Sequence, residues 1–363
     1  MRKKVGLFTS TEGHLSIAQA IRESLEPTYE VVLFEEVMEL MPLYVFLYQV
    51  FPMGHKIPFY LTQNPFSLET INKFCSARYQ KKIAAFYAEH QFDYVLSTYF
   101  MFNSSLAQVS QTTGVPFVNI LPDPLTVHPS TVAPTARVNV TFDEATSKEC
   151  RKYQPHKKVQ FEPLGWFVRK KFVPVTSKKA KRSELGLESE ILTFLITSGS
   201  EGTSFIIKLL PGLLSSATPV QLIIACGNNK SLYRSASAIA AVYRKKNPHN
   251  KALVLSFTSQ IEEYMQAADL VVGKAGPNSI FEAVATHTPF FATTHIQGQE
   301  DGNLQIIKRY KLGFVEENTR RALTKLRSII ENPAQLETLA PSIKEMAAHN
   351  QQSGARLFTL LKN

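Results

Sequence analysis

Twice along this 363-residue chain a short apolar run ends in a turn of small residues and passes at once into an amphipathic helix. The first instance runs from Lys4 to Ser10, turns at Thr11-Glu12-Gly13, and continues from His14 to Leu25 with Ile17, Ala18, Ile21 and Leu25 on one face. The second runs from Ile191 to Thr197, turns at Ser198 to Gly202, and continues from Ser204 to Leu214. A strand that feeds a helix in this way commits the chain to parallel pairing, because parallel neighbours need a crossover and a helix supplies it. Further apolar runs at Val31–Phe34, Tyr94–Ser97, Phe117–Leu121 and Val138–Phe142 extend the first series, with a helical pattern over Lys73–His90 between them. Gln221–Ala225, Leu253–Phe257, Leu270–Val272 and Phe290–Thr293 extend the second. The pattern predicts an α/β chain of two doubly wound domains, each with helices on both faces of its sheet.

A length of 363 residues suits two domains of about 150 each. The expected division is a Rossmann-like domain over 1–164, a basic linker over 165–183 and a second Rossmann-like domain over 184–363. Ligands of such sheets sit at the carboxyl ends of the strands, so the expected site is the cleft that the two domains face. Cys75, Cys150 and Cys226 are odd in number and far apart, which fits neither a disulfide framework nor a zinc ligand set and points to a reducing, cytoplasmic compartment. The apolar run near the amino terminus is too short for a signal peptide, so secretion is not expected.

The net charge of +10 has one source. Between Arg151 and Arg182 eleven basic residues face a single acid, Glu162, and the rest of the chain is neutral. Such a block suits nucleic acid, anionic lipid or solvent alone. Aromatic stacking partners and a nucleic-acid-binding motif are missing from it, so no nucleic acid is expected. Leu40 to Gly54 is uncharged and carries the aromatic and aliphatic run Leu43–Phe51. It is shorter than the ~20 residues of a bilayer span and is interrupted at Pro42 and Pro52. Two readings stand: a core or lid helix, or an element lying in a membrane interface.

Gly273-Lys274-Ala275-Gly276-Pro277-Asn278-Ser279 places a tight turn after a strand and opens a helix that continues through Glu282. A helix amino terminus attracts anions, Pro277 suits its first turn, and Lys274 adds a full charge, so the segment suits a phosphate. Glu282 lies too far along the helix to meet the same phosphate and suits a vicinal diol such as a ribose. The small-residue turn at Ser198–Thr203 offers a second anion-binding helix start, and two such turns suit a diphosphate. Neither a P-loop nor a Gly-x-Gly-x-x-Gly fingerprint occurs. The polar loop Gly298-Gln299-Glu300-Asp301-Gly302-Asn303 carries amide and carboxylate groups suited to sugar hydroxyls.

The run Gly273–Ala283 followed by Gly298–Asn303 resembles the nucleotide-sugar signature of glycosyltransferase family 28, in its monogalactosyldiacylglycerol synthase and diacylglycerol glucosyltransferase branch. Gly13-His14 resembles that branch's Gly-Gly-Gly-His opening, and Asp123–Pro129 resembles its Asp-Leu-x-Thr-x-His-Pro loop. Pro163-Leu164-Gly165, Cys226–Lys230 and Phe257-Thr258 before Ile261–Met265 agree in order, and Glu36–Leu68 lies outside the resemblance.

What the resemblance implies is a GT-B fold whose second domain binds a UDP-sugar, the donor substrate, with no separate cofactor. Glu282 then holds the ribose, and Phe257 and Thr258 the uracil. The diphosphate falls to Gly199, Ser200, Glu201 and Gly202 and to the turn Lys274, Ala275, Gly276, Pro277, Asn278 and Ser279. Gln299, Glu300 and Asn303 meet the hexose, and Gly13 lines the substrate side beside His14. His14 is the general base for the acceptor hydroxyl, with Asp123 and His128 as further catalytic candidates. His128 is either a rival base or a loop histidine bonded to backbone. With no Asp-x-Asp motif, no metal is expected.

Glu12 stands where the family has glycine, and its carboxylate either orients His14 and raises its pKa or repels the sugar diphosphate. Asn278 replaces another family glycine and tolerates the same tight turn. The implied reaction is inverting, metal-independent transfer of a hexose to a diacylglycerol-type lipid by a peripheral enzyme on the cytoplasmic face of a membrane. Arg151–Arg182 and Leu43–Phe51 would then meet the anionic lipid surface. The alternatives are transfer from UDP-N-acetylglucosamine to a prenyl-linked acceptor, UDP-sugar epimerisation, and non-catalytic sugar-nucleotide binding.

Overall fold

The apolar runs become parallel strands because each carries residues that fill both faces of a sheet covered by helices. A computed structural model describes residues 2–11, 13–37, 56–153, 158–197 and 205–362. The first sheet contains β1 (Lys4–Thr9), β2 (Glu30–Glu35), β3 (Tyr94–Ser97), β4 (Phe117–Ile120), β5 (Val138–Thr141) and β6 (Phe161–Pro163). Their order is β2-β1-β3-β4-β5-β6, and every pair is parallel, with Val5 opposite Val31 on one side and Tyr94 on the other. The second contains β7 (Thr193–Thr197), β8 (Gln221–Ala225), β9 (Lys251–Leu255), β10 (Leu270–Lys274), β11 (Phe290–Thr294) and β12 (Gly313–Val315). Its order, β12-β11-β10-β7-β8-β9, is the doubly wound arrangement 3-2-1-4-5-6 read from the opposite edge.

Residues 1–170, 296–303 and 349–363 make one compact unit, and 171–295 with 304–348 make the other. In the first, Phe8, Phe102, Phe117, Ile83 and Leu106 are fully buried between sheet and helices. In the second, Phe194, Leu209, Leu213, Ile224, Leu270, Phe291 and Leu326 fill the equivalent place. Each such side chain contributes about 1.5–3 kcal/mol by leaving water.

Two sequence expectations are corrected, and two strands are added. The helix placed at Lys73–His90 begins at Pro65, because the Asn64 side chain accepts the Ser67 N–H at 3.0 Å and proline occupies the first helical position. Phe257 lies beyond β9, which ends at Leu255, and is 62% exposed. The short strands β6 and β12 close two sheet edges that the sequence pattern leaves open. Leu43–Phe51 lies outside the described residues.

Among the described residues of the basic run Arg151–Arg182, most basic side chains meet an acid, a carbonyl or an amide. Arg151 pairs with Glu144 and Lys152 with Glu149, each at 2.6 Å, and Arg169 donates to Gln19 at 3.1 Å. Lys170 donates its side chain to the Glu23 carbonyl at 3.1 Å. From Lys171 onward the run belongs to the second unit. There Lys171 meets Glu262 at 2.7 Å, Lys179 meets Glu190 at 2.5 Å, and Lys181 meets Glu184 and Glu263 at 2.7 and 2.8 Å. Arg182 is buried against Asp269 at 2.6 Å, and Lys178 donates to the Ala268 carbonyl and the Thr288 hydroxyl, both at 2.6 Å. This stretch is a structural fastening of the helix Lys178–Glu184 to the second unit.

Candidate functional site

In an open parallel sheet the loops diverge where the strand order reverses, which leaves a crevice at the carboxyl ends of the two central strands. In the first sheet that point lies between β1 and β3. The helix Gly13–Leu25 follows β1 and presents His14 in its first turn, while Thr98 follows β3. His14 Nδ1 lies 2.7 Å from the Thr98 carbonyl oxygen. A carbonyl only accepts, so Nδ1 carries the proton and Nε2 of the neutral ring keeps its lone pair. Thr98 is fixed in turn: its N–H donates to the Phe8 carbonyl at 3.0 Å and its hydroxyl to Thr9 Oγ1 at 2.7 Å. The Tyr99 ring meets the imidazole edge to face at 4.9 Å between centroids. Loss of solvent around the half-buried ring lowers the His14 pKa to about 4, opposed by the bond to Thr98. Gly13 is exposed beside it at the start of the helix, and Glu12 lies outside the described residues.

The loop after β4 carries Asp123 and His128. Both His128 nitrogens are engaged: Nδ1 accepts the Ser130 N–H at 3.2 Å, and Nε2 lies 3.0 Å from Thr62 Oγ1. This caps the turn Pro129–Thr131, and the Phe59 ring packs against the imidazole at 5.2 Å. Burial lowers the His128 pKa, against a bond to Phe59 backbone. Asp123 Oδ1 accepts from Gln299 Nε2 at 3.4 Å. Glu300 is buried, and its Oε2 takes the Ile296 N–H at 2.7 Å; Asn303 is buried and donates its N–H to the Glu300 carbonyl at 3.0 Å. Asp123, His128, Gln299, Glu300 and Asn303 therefore all belong to the first unit, although the last three follow a strand of the second sheet.

In the second sheet the order reverses between β7 and β10. Gly273, at the end of β10, has no space for a side chain: a Cβ there would lie 2.6 Å from the Thr197 carbonyl oxygen. The turn that follows is tied to β11 by the Ala275 N–H, which donates to the Thr294 carbonyl at 2.8 Å. Gly276 caps the helix Pro277–Ala285, and the proline is its first residue. The positive end of that helix dipole lies at half-buried Asn278 and Ser279, with half-buried Lys274 just before it. Glu282 sits half-buried on the same helix. Thr258 Oγ1 accepts the Gln260 N–H at 3.1 Å beside exposed Phe257. Gly199, Ser200, Glu201 and Gly202 lie outside the described residues.

Sequence reasoning misses Thr98, which sets the His14 tautomer, and Phe59, Thr62 and Thr146, which brace the 123–129 loop. No sequence signal marks them, because each is an ordinary residue brought in by long-range pairing.

Residues 193–356 match the glycosyltransferase family 28 C-terminal domain. The chain is 28% identical over 256 residues to "Probable monogalactosyldiacylglycerol synthase 3, chloroplastic" of Oryza sativa subsp. japonica, covering 67% of this chain and 48% of that protein. It is 24% identical over 187 residues to "Processive diacylglycerol beta-glucosyltransferase" of Bacillus pumilus (strain SAFR-032), covering 51% and 48%. The chain thus spans about half the length of these curated relatives. Among solved structures, MurG of Acinetobacter baumannii superposes with a TM-score of 0.63 at 13% identity, over 100% of this chain and 99% of that one. UDP-GlcNAc 2-epimerase of Neisseria meningitidis bound to UDP-GlcNAc gives 0.64 at 12%, over 99% and 100%. Residues 193–356 therefore match the glycosyltransferase family 28 C-terminal domain, in a chain of GT-B fold that is similar in sequence to proteins named as galactolipid and diacylglycerol glycosyltransferases.

Proposed function

We propose that this chain is an inverting, metal-independent hexosyltransferase that moves a hexose from a UDP-sugar to a diacylglycerol-type lipid at the cytoplasmic face of a membrane. The observation that carries the reading is the His14–Thr98 bond at the β1/β3 reversal, which leaves Nε2 as a proton acceptor at a sheet's ligand-binding edge. Nε2 takes the proton of the lipid hydroxyl as that oxygen bonds to the anomeric carbon from the face opposite UDP. The bond from that carbon to the diphosphate breaks, and its electron pair leaves with UDP. Lys274 and the amino end of the helix Pro277–Ala285 stabilise the departing charge, a role that the absence of an Asp-x-Asp motif leaves to them. Glu282 holds the ribose, Phe257 and Thr258 the uracil, the 199–202 turn the diphosphate, and Gln299, Glu300 and Asn303 the hexose. His128, with both nitrogens engaged, is a loop anchor in this scheme rather than the base.

The names of the relatives support a glycolipid product, and the UDP-GlcNAc bound to one structural neighbour supports a UDP-sugar donor. Among the described residues no helix is long and apolar enough to cross a membrane. A surface contact has a different support: Tyr60, Leu61, Phe66 and Phe74 are all exposed, Phe66 by 79%. Phe66, Thr70, Phe74, Ala77 and Lys81 recur at helical spacing along Pro65–His90, which also carries Lys73, Arg78 and Lys82. Apolar rings bordered by lysine and arginine suit an anionic lipid interface. UDP release from UDP-glucose or UDP-galactose, measured with anionic vesicles with and without diacylglycerol, tests the reading. Diacylglycerol-dependent release is the expected result; UDP binding without release on any donor refutes it.

A further inference from the structure

The sugar loop of this chain is shaped by the acceptor-side loop, through contacts made within the first unit. Gly302, the second residue of the helix Asp301–Arg309, donates its N–H to Thr126 Oγ1. The approach leaves no room for another residue, since a Cβ on Gly302 would lie 2.5 Å from Thr126 N and Oγ1 and 2.9 Å from the Pro124 carbonyl oxygen. Three residues earlier Gln299 reaches Asp123 at 3.4 Å. Gly298, at φ +88°, donates to Asp301 Oδ1 at 2.9 Å, and the place of its missing Cβ is 3.2 Å from Phe59. Loop 298–302 thus has a hydroxyl under its helix start, a carboxylate against its amide side chain and a ring against its turn.

The Thr126 hydroxyl is itself held in place. Its neighbour Leu125 takes a left-handed backbone at φ +67°, a conformation that branched and bulky residues avoid. The Leu125 N–H donates to Thr146 Oγ1 at 3.1 Å. Thr146 is fully buried, and its hydroxyl donates to Asp143 Oδ1 at 2.6 Å; the same oxygen caps the helix Glu144–Lys152 by accepting the Thr146 N–H at 2.7 Å. One hydroxyl that both donates to a capping carboxylate and accepts from a strained turn fixes the height of that turn.

We propose that Thr126, braced by Thr146, is the positioning residue that sets Gln299 against the hexose of the donor, so that discrimination between hexoses depends on the acceptor-side loop. The inference rests on the UDP-sugar reading above. Thr126 touches no substrate in this scheme; it acts through the Gly302 N–H. Thr126→Val keeps the shape of the side chain and leaves that N–H without its acceptor, whereas Thr126→Ser keeps the hydroxyl. Thr146→Val removes the brace from one step further away.

The test is titration calorimetry of the full chain and its variants with UDP, UDP-glucose and UDP-galactose, without lipid. In Thr126→Val the Kd of the better-bound UDP-hexose is expected to rise about tenfold, the effect of one lost hydrogen bond, while the Kd of UDP stays put. Thr126→Ser is expected to restore the wild-type pattern, and Thr146→Val to reproduce the loss in part. A purely structural role would weaken UDP and the UDP-hexoses alike, and that result overturns the proposal. So does a Thr126→Val protein whose UDP-hexose affinities match wild type. Wild-type protein that binds none of the three nucleotides overturns the UDP-sugar reading and this inference together.

Discussion

The environment of His14 makes a quantitative claim about acid pH. Its pKa is lowered from 6.5 to about 4, with loss of solvation as the main cause and the Thr98 carbonyl opposing it. If Nε2 is the base, kcat/KM follows the neutral fraction of this ring in the free enzyme. At pH 5.5 a ring of pKa 4 is about 97% neutral, whereas an unshifted ring is about 9% neutral. The expected kcat/KM at pH 5.5 is therefore nearly the value at pH 7.5, with the acid limb centred near 4. The same shift acts on stability. Between pH 6.5 and 4 the unfolded chain binds a proton that the native ring refuses, so His14 makes stability rise with pH across that window and fall as pH drops through it. The ceiling of the effect is about 3 kcal/mol, reduced by the partial exposure of the residue. His14→Gln retains an amide donor for Thr98, should flatten that part of the stability curve, and should cost transfer about 10²–10⁴-fold. The assays are donor-dependent UDP release from pH 4 to 8 and urea unfolding over the same range. An acid limb near 6.5, or a His14→Gln protein that transfers as fast as wild type, refutes the argument.

Two further outcomes follow from the packing. Gly273→Ala drives a methyl group into the Thr197 carbonyl, so it should destabilise the chain by about 2 kcal/mol, read as a drop of roughly 5 °C in Tm, and weaken UDP binding measured by calorimetry. Phe66→Ser with Phe74→Ser should reduce sedimentation with anionic vesicles by tenfold or more, at about 1.5 kcal/mol for each ring, and leave Tm unchanged because both rings are exposed. Unchanged sedimentation would remove the support that this surface gives to a membrane contact.

The long apolar strands are legible because burial on both faces demands unbroken runs such as Leu270–Val272 and Phe290–Thr293. β6 and β12 are not: each has three residues, one of them a proline or a glycine, and they are recruited by an existing edge. The helix start at Pro65 is hidden because Phe66 and Phe74 face solvent, which blurs the amphipathic period. At the site, the glycine turn at 273–276 and the position of His14 are visible, since turn chemistry is local. The Thr98 carbonyl lies 84 residues from His14 in sequence, and Lys178 finds Thr288 across 110 residues. Local patterning reads the charges of the 151–182 run but not the acids and carbonyls that receive them.

The helix Ser353–Lys362 belongs to the first unit, where Arg356 donates to the Leu164 carbonyl at 3.0 Å and the Phe358 ring packs edge to face on Tyr29 at 5.8 Å. On the ribosome, residues 1–170 emerge long before this partner does. At about 5–20 residues per second, the roughly 330 residues between the helix Gly13–Leu25 and this partner take about 15–65 s, during which the flank that receives it is without it. The first βα unit of the chain is thus completed last, and a newly made molecule cannot finish the helix that bears His14 until the second unit has already been synthesised.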